Sequence, residues 1–140
     1  MLHLPRTVTA SLPMIVCTGA GEAELDAELR YDPSDPFAVS LAIGTECAEP
    51  VVWTFARDLL SAGVGAPSGE GDITIEPDFA SDLDEADRRL RITLATDCLA
   101  TMLAPAAPVI EFLVETFTLV PTGAELDRVD FDAEIAALLN

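Results

Sequence analysis

Lysine is missing altogether from this 140-residue chain. Its seven basic side chains are all arginine, against 25 aspartates and glutamates, for a net charge of −18. Such a surface is repelled by phosphate backbones and by anionic lipid, so nucleic acid and direct membrane insertion are set aside as partners. Histidine occurs once, as His3. One imidazole excludes a multi-histidine metal site, and its place near the N-terminus argues against a histidine-based triad. Cysteine is scarce too: Cys17, Cys47 and Cys98 are odd in number, far apart and without a C-x-x-C pair. They read as free thiols in a reducing compartment and not as a disulfide framework. The first residues carry no apolar run of the signal-peptide kind, so the expected location is cytoplasmic.

What is abundant is apolar: half of the residues are hydrophobic, ample for the core of one domain spanning 1–140. Much of it alternates. Val8, Ala10, Leu12, Met14 and Val16 alternate with mostly polar neighbours as a first strand, in which Pro13 marks an edge or a bulge. After a turn at Gly19–Gly21, Leu25, Ala27, Leu29 and Tyr31 alternate with Glu24, Asp26, Glu28 and Arg30, a strand wet on one face. The D-P-S-D-P turn at 32–36 leads to a buried face of Phe37, Val39, Leu41 and Ile43. Val51, Trp53 and Phe55 form the inner face of a fourth strand, and the short links make the four antiparallel. Ile73 and Ile75, then Leu90, Ile92 and Leu94, alternate as two more strands around an acidic loop at 77–87. Arg88, Arg89 and Arg91 stand beside that loop and are expected to pair with its acids.

Helices are fewer. Arg57 to Ala62 suits a short helix with Gly63 as its C-cap, and Pro67, Gly69 and Gly71 then predict a turn lasting to Asp72. From Cys98 to Val120 the chain is apolar enough to raise a transmembrane question, which Pro105, Pro108, Glu111 and Glu115 answer against. The reading is a short helical segment before Pro105 and a longer helix from Pro105 or Pro108 to Phe117. Its apolar residues cover more than one stripe, so a second cover is required besides the sheet. Leu103, Val109, Ile110, Phe112 and Leu113 are the candidate subunit interface. Asp130 can cap a last helix that turns Phe131, Ile135, Leu138 and Leu139 inward.

Few residues carry chemistry. Asp78, Asp82, Asp84, Glu85 and Asp87 miss the EF-hand spacing and read as a solvated loop. The glycines from Gly63 to Gly71 follow a helix instead of opening one and bring no lysine, so they read as a turn and not a phosphate cradle. Asp58 suits the positive end of its helix, and Arg57 is expected to bond into the loop before it. Trp53 and Phe55 read as core, and Tyr31 as a strand end with a wet hydroxyl. No catalytic, metal or cofactor residue is assigned, and no enzyme activity is expected.

Four segments together resemble the SsgA-like sporulation and cell-division family of filamentous actinobacteria, over residues 6 to 139. They are W-T-F-A-R-D-L-L-S-A-G (53–63) with P-S-G-E-G-D-I (67–73), L-R-Y-D-P-S-D-P-F-A-V (29–39), I-E-F-L (110–113) and the tail V-D-F-D-A-E-I-A-A-L-L (129–139). The length and the tail resemble the SsgB branch most. The resemblance implies an α+β fold similar to the whirly nucleic-acid-binding proteins: two antiparallel sheets packed across each other, helices at one end, assembled as a trimer. It implies a non-enzymatic role in sporulation-specific septation, with the tubulin-like protein FtsZ and an SsgA-like paralogue as partners. The matching motif positions are Arg30, Tyr31, Asp32, Trp53, Phe55, Arg57, Asp58, Leu59 and Leu60, read as serving the fold.

Two other readings stand beside this one. A single-stranded nucleic-acid module follows from the whirly likeness but needs a basic groove with stacking aromatics. A small-molecule or enzymatic domain would be lined by Tyr31, Trp53 and Arg57 and needs a pocket of converging polar groups.

Overall fold

The computed structural model describes residues 7–19, 21–45, 48–78, 88–95 and 99–125. Alternation sets the first four strands: β1 (Val8–Thr18), β2 (Gly21–Tyr31), β3 (Ala38–Thr45) and β4 (Ala48–Ala56), paired antiparallel in succession. Helix α1 (Arg57–Gly65) follows without a linker. Then come β5 (Ser68–Glu70), β6 (Ile73–Pro77), β7 (Arg89–Ala95), β8 (Leu99–Pro105) and α2 (Ala106–Leu119).

The expected two sheets are joined by hydrogen bonds. All eight strands form one sheet in the order β4-β3-β2-β1-β8-β7-β6-β5. The two four-stranded halves meet where Ile15, Val16 and Cys17 of β1 pair with Leu103, Met102 and Thr101 of β8. Pro13 lies just outside this seam. Its pairing with Asp26 is in unbroken register, so there is no bulge. On the β8 side pairing begins only at Ile15, so the missing proline N–H costs no ladder bond there.

The core draws on both halves. Leu12, Met14, Leu29 and Leu41 come from one side, Ile75, Leu90, Ile92 and Met102 from the other, with Leu60, Val109 and Phe112 from the helices. Phe55 joins them and Trp53 packs half-buried at the margin. Val51, expected on the same inner face, is 50% exposed because β4 is the outermost strand. Phe37 is also outside, 47% exposed, because it precedes β3 and belongs to the turn.

Three local expectations give way. Gly63 is not a cap: α1 continues through it to Gly65, and the C-cap is Ala66. Residues 68–70 are not turn but strand β5, because Gly71 and Asp72 make a two-residue hairpin to β6. Gly71 has φ +60 and Asp72 does not share the left-handed region, the arrangement a glycine-first hairpin turn requires. The segment before Pro105 is not helical: it is β8, held between β1 and β7. The acidic residues 79–87, Cys47, Cys98 and the expected helix from Asp130 lie outside the described residues. Cys17 is a half-buried free thiol on β1. Among the described residues no helix is long and apolar enough to cross a membrane.

Candidate functional site

The described residues that gather the most polar contacts lie where α1 begins and α2 ends. Arg57 is the first residue of α1, and its backbone N–H donates to the Phe37 carbonyl at 2.7 Å. Only that N–H reaches the preceding loop, because the strand ends at Ala56 and turns the side chain inward. The guanidinium instead crosses to the far helix. Its Nη1 donates to the Thr116 carbonyl at 3.1 Å and the Val120 carbonyl at 2.8 Å. Its Nη2 donates to Glu125 Oε1 at 3.0 Å. The plane lies 4.2 Å from the Phe117 ring centroid and 5.0 Å from that of Tyr31.

This placement has a physical logic. The last carbonyls of a helix have no partner within it and carry its negative end. α2 has no basic residue in its last turn, so Arg57 supplies the positive charge from outside. The guanidinium is 1% exposed, and a buried charge needs both counter-charge and bonds. Glu125 provides the counter-charge, with a side chain 9% exposed. Glu125 is positioned in turn by the Gly123 N–H, which donates to Oε2 at 2.8 Å.

Tyr31 closes the other side. Its ring is fully buried, and its hydroxyl donates to the Pro36 carbonyl at 3.0 Å across the D-P-S-D-P turn. The wet hydroxyl expected of it is therefore a dry anchor. Asp32 shapes the same turn by accepting from the Ser34 N–H at 2.9 Å and the Ser34 hydroxyl at 2.8 Å. The Ser34 backbone bond is the main reason the Asp32 carboxyl sits below its usual pKa.

The other motif residues scatter. Leu59 and Leu60 pack in the core, Arg30 is exposed on β2, and Asp58 is exposed in the first turn of α1. Of the five candidate interface residues, Val109, Phe112 and Leu113 are at most 6% exposed and serve this chain's own core. Leu103 is half-buried on β8 in the seam, paired with Ile15, and Ile110 remains exposed at 43%. Sequence reasoning missed Thr116, Val120 and Glu125. Only the lack of a basic residue at the end of α2 signals that an external cation is needed there.

Chemically the cluster is closed. Three donor bonds and two rings occupy Arg57, and among the described residues four surface cavities, of about 260 to 610 Å³, are lined by other side chains than Tyr31, Trp53 and Arg57. Among the described residues no three His, Cys, Asp or Glu side chains gather to hold a metal. Elsewhere the positive charge is spent locally. Arg89 and Arg91 bond Asp78 at 3.2 and 2.9 Å, and Arg91 bonds Glu76 at 3.3 Å.

The cluster carries a pH signature. The Glu125 carboxyl is held below its usual pKa by its own backbone N–H first, then by the Gly123 N–H and Arg57, with burial opposing. A depressed carboxylate contributes stability that is complete above its unfolded pKa of about 4.3 and is lost as pH falls through the lower folded value. Glu125→Gln should therefore lower Tm at neutral pH. The gap to wild type should stay constant above about pH 5 and close below about pH 4, as the native carboxylate protonates. Thermal unfolding by circular dichroism across that range measures both trends. A gap that widens on acidification would refute the assignment.

Comparison with known proteins agrees with this architecture. The model of the family described as "Streptomyces sporulation and cell division protein, SsgA" matches residues 25–125. The chain is 38% identical over 135 residues to the sporulation-specific cell division protein SsgB of Frankia casuarinae, covering 95% of this chain and 92% of that one. It is 42% identical over 117 residues to the protein of the same description from Thermobifida fusca, covering 83% and 82%. The crystal structure of an SsgA-like sporulation-specific cell division protein from Thermobifida fusca superposes with a TM-score of 0.83 at 36% identity, covering 98% of each chain. A structure described as "Mutations in SsgB correlate to longitudinal cell division during sporulation of Streptomyces coelicolor" gives 0.78 at 32% identity, covering 91% of this chain and 99% of that one.

Proposed function

This chain belongs to the SsgA family of sporulation and cell-division proteins, and from that premise we propose that it is a non-catalytic adaptor in sporulation-specific septation. It works through protein contacts, helping to bring FtsZ to septum sites together with an SsgA-like paralogue. The observation that carries this reading is the closed Arg57 cluster. Of the polar residues in the family motif, Arg57, Tyr31 and Asp32 are spent on joining α1 to α2 and on holding the D-P-S-D-P turn, which leaves the work to surface shape.

The same reading includes self-assembly, a trimer by family resemblance, and the packing of the two sheet halves across each other. β4 supports assembly with a second copy. It is an outer strand with Val51 and Val52 exposed at 50% and 58%, and no lysine is available to blunt such an edge. The proposed location is cytoplasmic, at division septa. The nucleic-acid alternative loses support, since Arg57 is buried and Arg89 and Arg91 are paired with acids.

Light scattering on the full chain, a pull-down against FtsZ of the same host, and septum counts in a deletion strain test the proposal. Expected are an oligomer, retention of FtsZ and misplaced or missing sporulation septa. A monomer that ignores FtsZ, in a strain whose septa are normal, would overturn it.

A further inference from the structure

The two ends of the sheet are not alike. Among the described residues β5 closes one end with only Ser68–Glu70 and carries an acid, the short and charged form in which an edge resists pairing. β4 closes the other with Ala48–Ala56, and from Pro50 to Ala56 it holds no ionisable side chain. Register tells which backbone groups this longer edge offers. The Arg57 N–H donates to the Phe37 carbonyl, one step beyond the pair Ala56–Ala38. Bonded and non-bonded pairs alternate along an antiparallel ladder, so Phe55, Trp53 and Val51 bond to Val39, Leu41 and Ile43 of β3. Thr54 and Val52 fall on the closer, non-bonded pairs, and the Thr54 and Ser40 hydroxyls accordingly lie 3.4 Å apart. The N–H and C=O of Val52 and Thr54 therefore point away from β3, into the open edge. The residues flanking them are each half-equipped. Pro50 has no N–H. Ala56, the N-cap of α1, keeps its N–H but has its carbonyl committed to the first bond of that helix.

We infer that this edge pairs antiparallel with the same edge of a second copy, about a two-fold axis through Trp53. The inference deepens the self-assembly reading above and rests on it. In that register Val52 exchanges both of its bonds with the partner's Thr54, and Thr54 does so with the partner's Val52. Ala56 donates to the carbonyl of the partner's Pro50. The N–H that Pro50 lacks would have met the Ala56 carbonyl that α1 already uses, so no group of the edge is left over. Sliding the strands by two residues sets Pro50 against Thr54, or Val52 against Ala56. Either slide leaves a Thr54 carbonyl or a Val52 N–H without a free partner, so Pro50 and Ala56 together fix the register.

Charge selects the same place. Two chains of −18 approach most easily where neither carries an ionisable group, and residues 50–56 are such a stretch on both. Side chains agree as well. Alternation sets Trp53 beside the partner's Trp53 and Val51 beside the partner's Phe55 on the inner face, and Val52 beside the partner's Thr54 on the outer one. Aromatic and β-branched neighbours are the favoured cross-strand pairs, and the exposed Val51 and Val52 both gain cover. A contact of this kind is two-fold. It joins copies in pairs and is distinct from the head-to-tail contact that closes a ring of three.

Light scattering on the full chain tests the inference, with Trp53, the only tryptophan, as a second readout. Thr54→Pro removes an N–H that faces outward and none that bonds β3, a place where an edge strand tolerates proline. Its mass should be half that of wild type at equal concentration, with circular dichroism unchanged. Val52→Lys puts a charge on the edge without touching the backbone, and it should halve the mass even if the proline variant fails to fold. In both variants the Trp53 emission should move to longer wavelength as its partner is lost. A mass or an emission that Val52→Lys leaves as in wild type would overturn the two-fold edge contact. A pull-down against FtsZ on the same samples keeps the two readings apart. Halving by Val52→Lys in a chain that never retains FtsZ supports the edge contact and counts against the adaptor role, and FtsZ retention with no halving does the reverse.

Discussion

Arg57→Ala should be among the most destabilising single substitutions in the described fold, costing about 3–5 kcal/mol, the range for removing one partner of a buried ion pair. Domains have about 5–15 kcal/mol in total, so a fall in Tm on the order of 10 °C or more is expected. The loss is not one contact. The carbonyls of Thr116 and Val120 lose their external donor, Glu125 keeps a buried negative charge without its cation, and Tyr31 and Phe117 face a void. Arg57→Lys separates charge from shape. A lysine restores the positive charge but cannot serve two helix carbonyls and a carboxylate while lying flat between two rings. It should recover part of the stability, leaving a deficit of about 1–3 kcal/mol. Denaturant unfolding followed by the Trp53 fluorescence gives both values. The double variant Arg57→Ala with Glu125→Gln should cost less than the sum of its parts, because the second change removes the orphaned charge that the first creates. An Arg57→Ala protein as stable as wild type would mean that the two helices are joined by something other than this cluster.

The same residues show where sequence reading succeeds. Strands with one wet face, such as β2 and β7, announce themselves by alternation, and the strand-to-helix change at Arg57 was visible in the break of period. β8 was not. Leu99–Pro105 lies between β1 and β7, so Thr101 and Leu103 are half-buried while Met102 and Ala104 are fully so. A run apolar on both faces and rich in alanine has no period to separate strand from helix. β5 was hidden by its glycines, which read as turn chemistry although only Gly71 turns the chain. Arg57 was legible as a marked residue and illegible as a clamp. Its partners are 59, 63 and 68 positions away, and no local spacing encodes a contact of that range. The acidic composition was legible in its consequence: with few cations available, most of the described arginines bond an acid, and the surface is left anionic.

Gly63→Ala should destabilise the protein although helix propensity argues the opposite. Alanine within a helix is favoured over glycine by about 1 kcal/mol, and Gly63 has no positive φ to protect. What it lacks is room. A Cβ at this position would lie 2.6 Å from the Ile75 Cβ and 2.9 Å from the Ile75 carbonyl oxygen, and closer still to Ile75 Cγ2. The first two atoms are fixed to the β6 backbone and cannot rotate aside, so α1 must lift from the sheet. Overpacking of this kind costs about 1–3 kcal/mol, which exceeds the propensity gain, and Gly63→Val should cost more again. Gly65→Ala is the control within the same helix, since its Cβ would meet nothing within 4 Å. There propensity acts alone, and stability should hold or rise slightly. Ile75→Ala empties a buried core site at its own cost, and it removes Cγ2 but neither Cβ nor the carbonyl, so combined with Gly63→Ala it should cost somewhat less than the sum of the two single changes. Urea unfolding of these variants orders them. If Gly63→Ala matches or exceeds Gly65→Ala in stability, α1 does not rest on β6 at this glycine, and the path by which Arg57 is aimed at α2 would have to be redrawn.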